Sequence, residues 1–140
     1  MGMRAISRAV GYLLVFALSL DRATIPFGTV EPGGFAELVD RNAITVTADT
    51  GTMWYLRVAH SGDLPGVALE FRTSGGRGTG THYWTPIGEY PRIAYTSTMA
   101  EGVTGPAGFP VTFSYRMLAA PDAEAGPRAW VVTYTLSATP

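Results

Sequence analysis

The residues with the most chemical potential lie between Thr73 and Pro91, where Gly75-Gly76-Arg77-Gly78-Thr79-Gly80 is followed by His82-Tyr83-Trp84 and then Tyr90. A loop that cradles phosphate needs Lys-Ser or Lys-Thr after its last glycine, a buried strand before it and a helix after it. Here Gly80 runs into Thr81-His82-Tyr83-Trp84, which reads as strand, so the glycine run is expected to be a flexible surface loop. Tyr83, Trp84 and Tyr90 allow two readings. Flat rings with polar edges make a platform for sugars, or one or two of them cap the core. His60 and Asp63 are close in sequence, but a metal site needs three or four converging ligands and the chain has only 2 histidines. No serine sits in Gly-x-Ser-x-Gly and no acid–base pair stands out. Asp122 and Glu124 fall in a turn, where they solvate it. The expectation is a protein that is not an enzyme, with no catalytic residue, no cofactor and no metal.

Composition narrows the partners. A formal net charge of -1 with 15% charged residues gives no basic stripe, and so no nucleic-acid partner is expected. Cysteine is absent, so the fold must stand on packing and backbone pairing rather than on disulfides. The 17 glycines and 10 prolines, spread among threonines and aromatics, read as short strands separated by turns.

The elements that would position these residues are strands. Val111, Phe113, Tyr115 and Met117 share one parity, and Trp130, Val132, Tyr134 and Leu136 share another. Side chains on a strand alternate between faces, so each run has one large apolar face. Pro121, Gly126 and Pro127 separate them, and two antiparallel strands around a longish loop are expected. Upstream, Thr24–Val30 carries Pro26 and reads as an edge strand, with a turn at Glu31–Gly34. Asn42–Ala48 and Met53–Ala59, joined through Asp49–Thr52, read as a hairpin with Trp54, Leu56 and Val58 inward. Val67, Leu69 and Phe71 form another inward set, and a weaker strand at Tyr90–Thr96 buries Ile93 and Tyr95. Strands recurring about every ten residues without a long amphipathic helix indicate an all-β sandwich or barrel.

The first residues read three ways. Arg4 and Arg8, the uncharged run Ala9–Leu20 and the small-x-small Ala17-Leu18-Ser19 look like a secretory signal. Ile6, Val10, Leu13, Leu14, Ala17 and Leu18 also fit a helical stripe. Yet Val10, Tyr12, Leu14, Phe16, Leu18 and Leu20 are all large, while Ala9, Gly11, Ala17 and Ser19 on the other parity are small. A strand laid into an apolar groove sorts bulk by parity in this way.

Phe27-Gly28-Thr29-Val30-Glu31-Pro32-Gly33, then Trp54-Tyr55-Leu56-Arg57-Val58, and the closing Val131-Val132-Thr133-Tyr134-Thr135-Leu136 resemble many small secreted bacterial and archaeal immunoglobulin-like proteins. Several such groups are subunits of extracellular fibres, in which an N-terminal strand of one subunit completes the sheet of the next. The resemblance implies an immunoglobulin-like β-sandwich of about 7–9 strands over residues 23–140, with residues 1–22 as an apolar donor segment. It implies a pilus-like homopolymer outside the cell, joined head-to-tail through Val10, Tyr12, Leu14, Phe16, Leu18 and Leu20. Surface glycans or other cells are its further expected contacts. The alternative reading is a secreted monomeric immunoglobulin-like module that binds carbohydrate through Tyr83, Trp84 and Tyr90.

Overall fold

The computed structural model describes residues 2–10, 16–62, 65–124 and 129–140. Among them run ten strands: β1 Gly2–Val10, β2 Phe16–Leu20, β3 Thr24–Pro26, β4 Phe35–Ala48, β5 Tyr55–Ser61, β6 Val67–Ser74, β7 Thr85–Pro86, β8 Arg92–Thr96, β9 Phe109–Ala119 and β10 Ala129–Ser137. They form two five-stranded sheets, ordered β3-β1-β10-β5-β8 and β2-β4-β9-β6-β7. Neighbours are antiparallel except β1 and β10, which pair in parallel. The fold is all-β, and the two sheets enclose one apolar core as a sandwich.

The alternation seen in the sequence is realised as burial. Val111, Phe113, Tyr115 and Met117 of β9 are buried, as are Trp130, Val132, Tyr134 and Leu136 of β10. The two strands do not pair with each other, however. Both edges of β9 are taken, by β4 and β6, so β10 has no edge there to join. The chain instead crosses to the other sheet, and the two large faces meet across the core. The Phe113 and Tyr134 rings lie edge-to-face at 5.3 Å, a favoured aromatic geometry. The expected Asn42–Ala59 hairpin fails for the same reason. β4 is flanked by β2 and β9, whereas β5 lies in the opposite sheet between β10 and β8. Trp54 secures that crossing: its amide donates to Ser97 Oγ at 2.8 Å and its indole Nε1 to the Glu101 carbonyl at 2.8 Å.

Two smaller expectations also change. Ile93 is 40% exposed, whereas Ala94 and Tyr95 are buried. The β5–β8 register shifts between Leu56 and Arg57, and this bulge turns Ile93 outward. β4 begins at Phe35 rather than Asn42, and its register on β9 shifts between Leu38 and Asn42, where Asp40 takes a φ of 47°. The edge position of β3 and the Glu31–Gly34 turn are as expected, the turn closed by Gly34 N–H donating to the Glu31 carbonyl at 2.9 Å.

Candidate functional site

The N-terminal residues enter both sheets. β1 lies between β3 and β10, in register from Gly2 opposite Ala129 to Val10 opposite Ser137. On its other side Gly2, Met3 and Arg4 stand opposite Pro26, Ile25 and Thr24. β2 lies in the other sheet, at its edge, with Phe16 opposite Ala48 and Leu20 opposite Ile44. The six large residues of one parity are therefore divided. Val10 ends β1, Phe16, Leu18 and Leu20 belong to β2, and Tyr12 and Leu14 lie outside the described residues. Phe16, Leu18 and Leu20 are partly buried and pack on the core, while Ala17 and Ser19 face solvent. The helical reading does not survive, since Ile6 and Val10 lie in β1 and Ala17 and Leu18 in β2.

Without β1, the edge of β10 presents a long row of unpaired N–H and C=O groups, which is a template for any passing strand. β1 covers that row along its whole length. Its own sequence carries little sign of this, because Arg4 and Arg8 ahead of an uncharged run look like the start of a leader.

The aromatic candidates do not converge on one platform. Tyr83 and Tyr90 are each 85% exposed. Trp84, just before β7, stacks with arginines of β6 and β9, the Arg72 guanidinium 4.5 Å and the Arg116 guanidinium 4.9 Å from its ring centroid. Arg116 is steered by carboxylates, its Nε donating to Glu70 Oε1 at 2.8 Å and its Nη1 standing 3.9 Å from Glu37. Among the described residues no ring contact links Trp84 to Tyr83 or Tyr90. His60 donates its backbone N–H to the Gly88 carbonyl at 2.9 Å, and its buried Nδ1 has no hydrogen-bond partner. Asp63 lies outside the described residues. Asp122 is exposed.

The glycine run is anchored rather than loose. Thr79 bridges Thr96, and Gly78 N–H donates to Tyr95 Oη at 2.9 Å. The anchor is Glu101, which sequence reasoning passed over. Its carboxylate accepts from Thr98 N–H at 2.8 Å, Arg77 N–H at 3.1 Å and Tyr95 Oη at 2.9 Å. Glu101 N–H returns a bond to Thr98 Oγ1 at 3.2 Å. Thr98-x-x-Glu101 is thus a capping box, and that spacing was the available signal. Burial pushes the Glu101 carboxyl up, but the hydrogen bonds from Thr98, Arg77 and Tyr95 outweigh it and hold it below its usual value. Burial and the adjacent carboxylate push the Tyr95 hydroxyl up to about 12.

Inside the core, the Tyr115 hydroxyl donates to Asn42 Oδ1 and is also bonded to the Tyr134 hydroxyl. Since Tyr115 has one proton and spends it on Asn42, Tyr134 is the donor in the second bond. Burial raises the pKa of both phenols and keeps them neutral. Asn42 Nδ2 is buried without a partner.

The N-terminal segment thus pairs with strands of both sheets of its own chain, and an aromatic–arginine cluster lies on the outer face of one sheet. No protein-family model matches the chain, and no curated protein matches it.

Proposed function

We propose that the chain is a structural subunit of an extracellular filament, an immunoglobulin-like sandwich completed by the N-terminal segment of a neighbouring copy. The observation that carries this reading is the seat of β1, whose nine positions run along β10 and whose first three also pair with β3. Within a single chain the segment fills its own seat. The same contacts are available to a segment from another copy, because they are made between the segment and the body, or between β1 and β2 within the segment itself. Exchange therefore leaves the bonding nearly unchanged, and the balance depends on strain in the connector and on protein concentration. Three half-buried side chains at roughly 1 kcal/mol each, with a ladder of hydrogen bonds at about 1 kcal/mol each, make an exchanged junction long-lived. Donation from copy to copy does not close on itself, and a fibre grows.

The test is negative-stain microscopy of the secreted full chain beside the Phe16→Asp/Leu18→Asp double variant, with circular dichroism on both. Filaments from the full chain, lost in a double variant that keeps its β spectrum, support the reading. Uniform particles of 14.9 kDa from the full chain, or a mature protein lacking residues 2–20 by mass spectrometry, overturn it.

A second reading is favoured by the exposure of Tyr83 and Tyr90. A self-completed monomer would bind carbohydrate through those rings with Trp84. Guanidinium groups already cover Trp84, so this reading rests mainly on the two tyrosines. Loss of glycan-array binding in Tyr83→Ala would favour it.

A further inference from the structure

We infer that the exchanged unit is a two-strand arm, β1 and β2 together, which pivots at Asp21–Ala23 and completes both sheets of one neighbouring copy. The inference rests on the filament reading and specifies its partner surface. That surface is the β10 edge facing β3 in one sheet and the β4 edge in the other, both on the same second copy.

Two pivots are conceivable, one before β2 and one after it. The chosen pivot must become the connector between copies and run through water. Asp21, Arg22 and Ala23 are all exposed, and two of the three are charged. A single backbone bond from this stretch is described, Asp21 N–H to the Ala43 carbonyl at 3.2 Å. The stretch can straighten at little cost and spans about 10 Å when extended. The other pivot would be the sequence Gly11-Tyr12-Leu13-Leu14-Val15, whose apolar side chains would be left in water as a connector.

The division of labour between the strands points the same way. β1 contributes the long ladder on β10, and its nine residues, Gly2-Met3-Arg4-Ala5-Ile6-Ser7-Arg8-Ala9-Val10, include three large apolar ones, Met3, Ile6 and Val10. β2 is short but carries Phe16, Leu18 and Leu20 against the core. β1 alone would leave the Phe16, Leu18 and Leu20 seat empty, and β2 alone would leave the β10 edge open. Carried together, the two strands bring hydrogen bonds and burial to the same body.

The test uses the absence of cysteine in the native chain. Arg4→Cys/Thr24→Cys reports on β1, because those positions face each other across β1 and β3. Ser19→Cys/Thr45→Cys reports on β2 against β4, and Ala17→Cys/Thr47→Cys is a second pair for the same strand should the first fail to fold. Filaments of each full-length variant are pelleted, treated with a short bismaleimide and run on a denaturing gel. The inference expects ladders beyond dimer from both the β1 and the β2 pairs. If the β1 pair forms ladders while both β2 pairs stay within single chains, only β1 travels, and this inference fails while the filament reading stands. If filaments form but neither strand forms ladders, exchange is not the joint. If no filaments form, the filament reading fails and takes this inference with it.

Discussion

The buried chain Tyr134–Tyr115–Asn42 makes a quantitative prediction, because its middle member has two jobs and its outer member one. Replacing Tyr115 with Phe strips Asn42 Oδ1 of its donor and Tyr134 of its acceptor. Asn42 is 1% exposed and its Nδ2 already lacks a partner, so water cannot compensate. Each orphaned buried group costs about 1–3 kcal/mol, and Tyr115→Phe should cost roughly 3 kcal/mol. Tyr134→Phe removes only the terminal donor and leaves the Tyr115–Asn42 bond intact, at a cost of about 1 kcal/mol. The double variant leaves one group fewer unpaired than the two single losses together, so it should cost about 1 kcal/mol less than their sum. Urea unfolding followed by the fluorescence of Trp54 and Trp130, both fully buried, reads this out. With a urea m value of about 2 kcal/mol/M, the two single variants should differ by about 1 M in midpoint at unchanged slope. Equal costs for the two single variants, or strict additivity in the double, would refute the assignment of donors.

Three other predictions concern the surface around the glycine run. Gly76 has a φ of 79°, and a Cβ there would lie 2.0 Å from Tyr95 Oη, whereas a Cβ on Gly88 meets nothing within 4 Å. Gly76→Ala should cost at least about 2 kcal/mol and Gly88→Ala almost nothing, as thermal melting will show. Glu101 titrates below its unfolded value of 4.5, so the unfolded chain binds more protons as pH falls. Its contribution is complete above that value and fades below it, and Glu101→Gln should flatten the acid limb of Tm against pH. Trp84→Ala should cost about 1–2 kcal/mol by removing the surface under Arg72 and Arg116, and Trp84→Phe should recover part of it. Urea midpoints that leave Trp84→Ala equal to the parent would show the two stacks to be worth nothing.

What could be read from the sequence was the face of each strand, not its neighbour. The parity of Val111–Met117 and Trp130–Leu136 identified the buried side correctly, because alternation is a local property of extended backbone. Partner choice is not local. β9 and β10 look like a hairpin until both edges of β9 are known to be occupied. Ile93 was misplaced because one bulge inverts parity beyond it, and nothing in Arg92–Thr96 announces a bulge. The start of β4 was missed because the exposed run Val39-Asp40-Arg41 breaks its alternation around a second register shift. The candidate surface was partly legible. Tyr83 and Tyr90 are as open as a ligand platform requires, but the arginines over Trp84 come from β6 and β9 and could not be placed beside it from spacing alone.

The topology also bears on why the N-terminal strands, rather than any other pair, would be the ones to exchange. β1 pairs with β10 at the largest sequence separation of any pairing among the described strands. Loop-closure entropy makes such a contact the most expensive to reach and the last to be rewarded during folding. The β10–β5–β8 and β4–β9–β6 ladders need no part of β1, so they can form while the β10 edge is still open. At that stage, under the proposed reading, a neighbour's arm would compete with the chain's own on nearly equal terms, since both offer the same residues in the same register. Under the proposed filament reading, local concentration would then select between a closed monomer and a growing fibre. That choice requires no bond that the single chain lacks, only the same strand arriving from another copy.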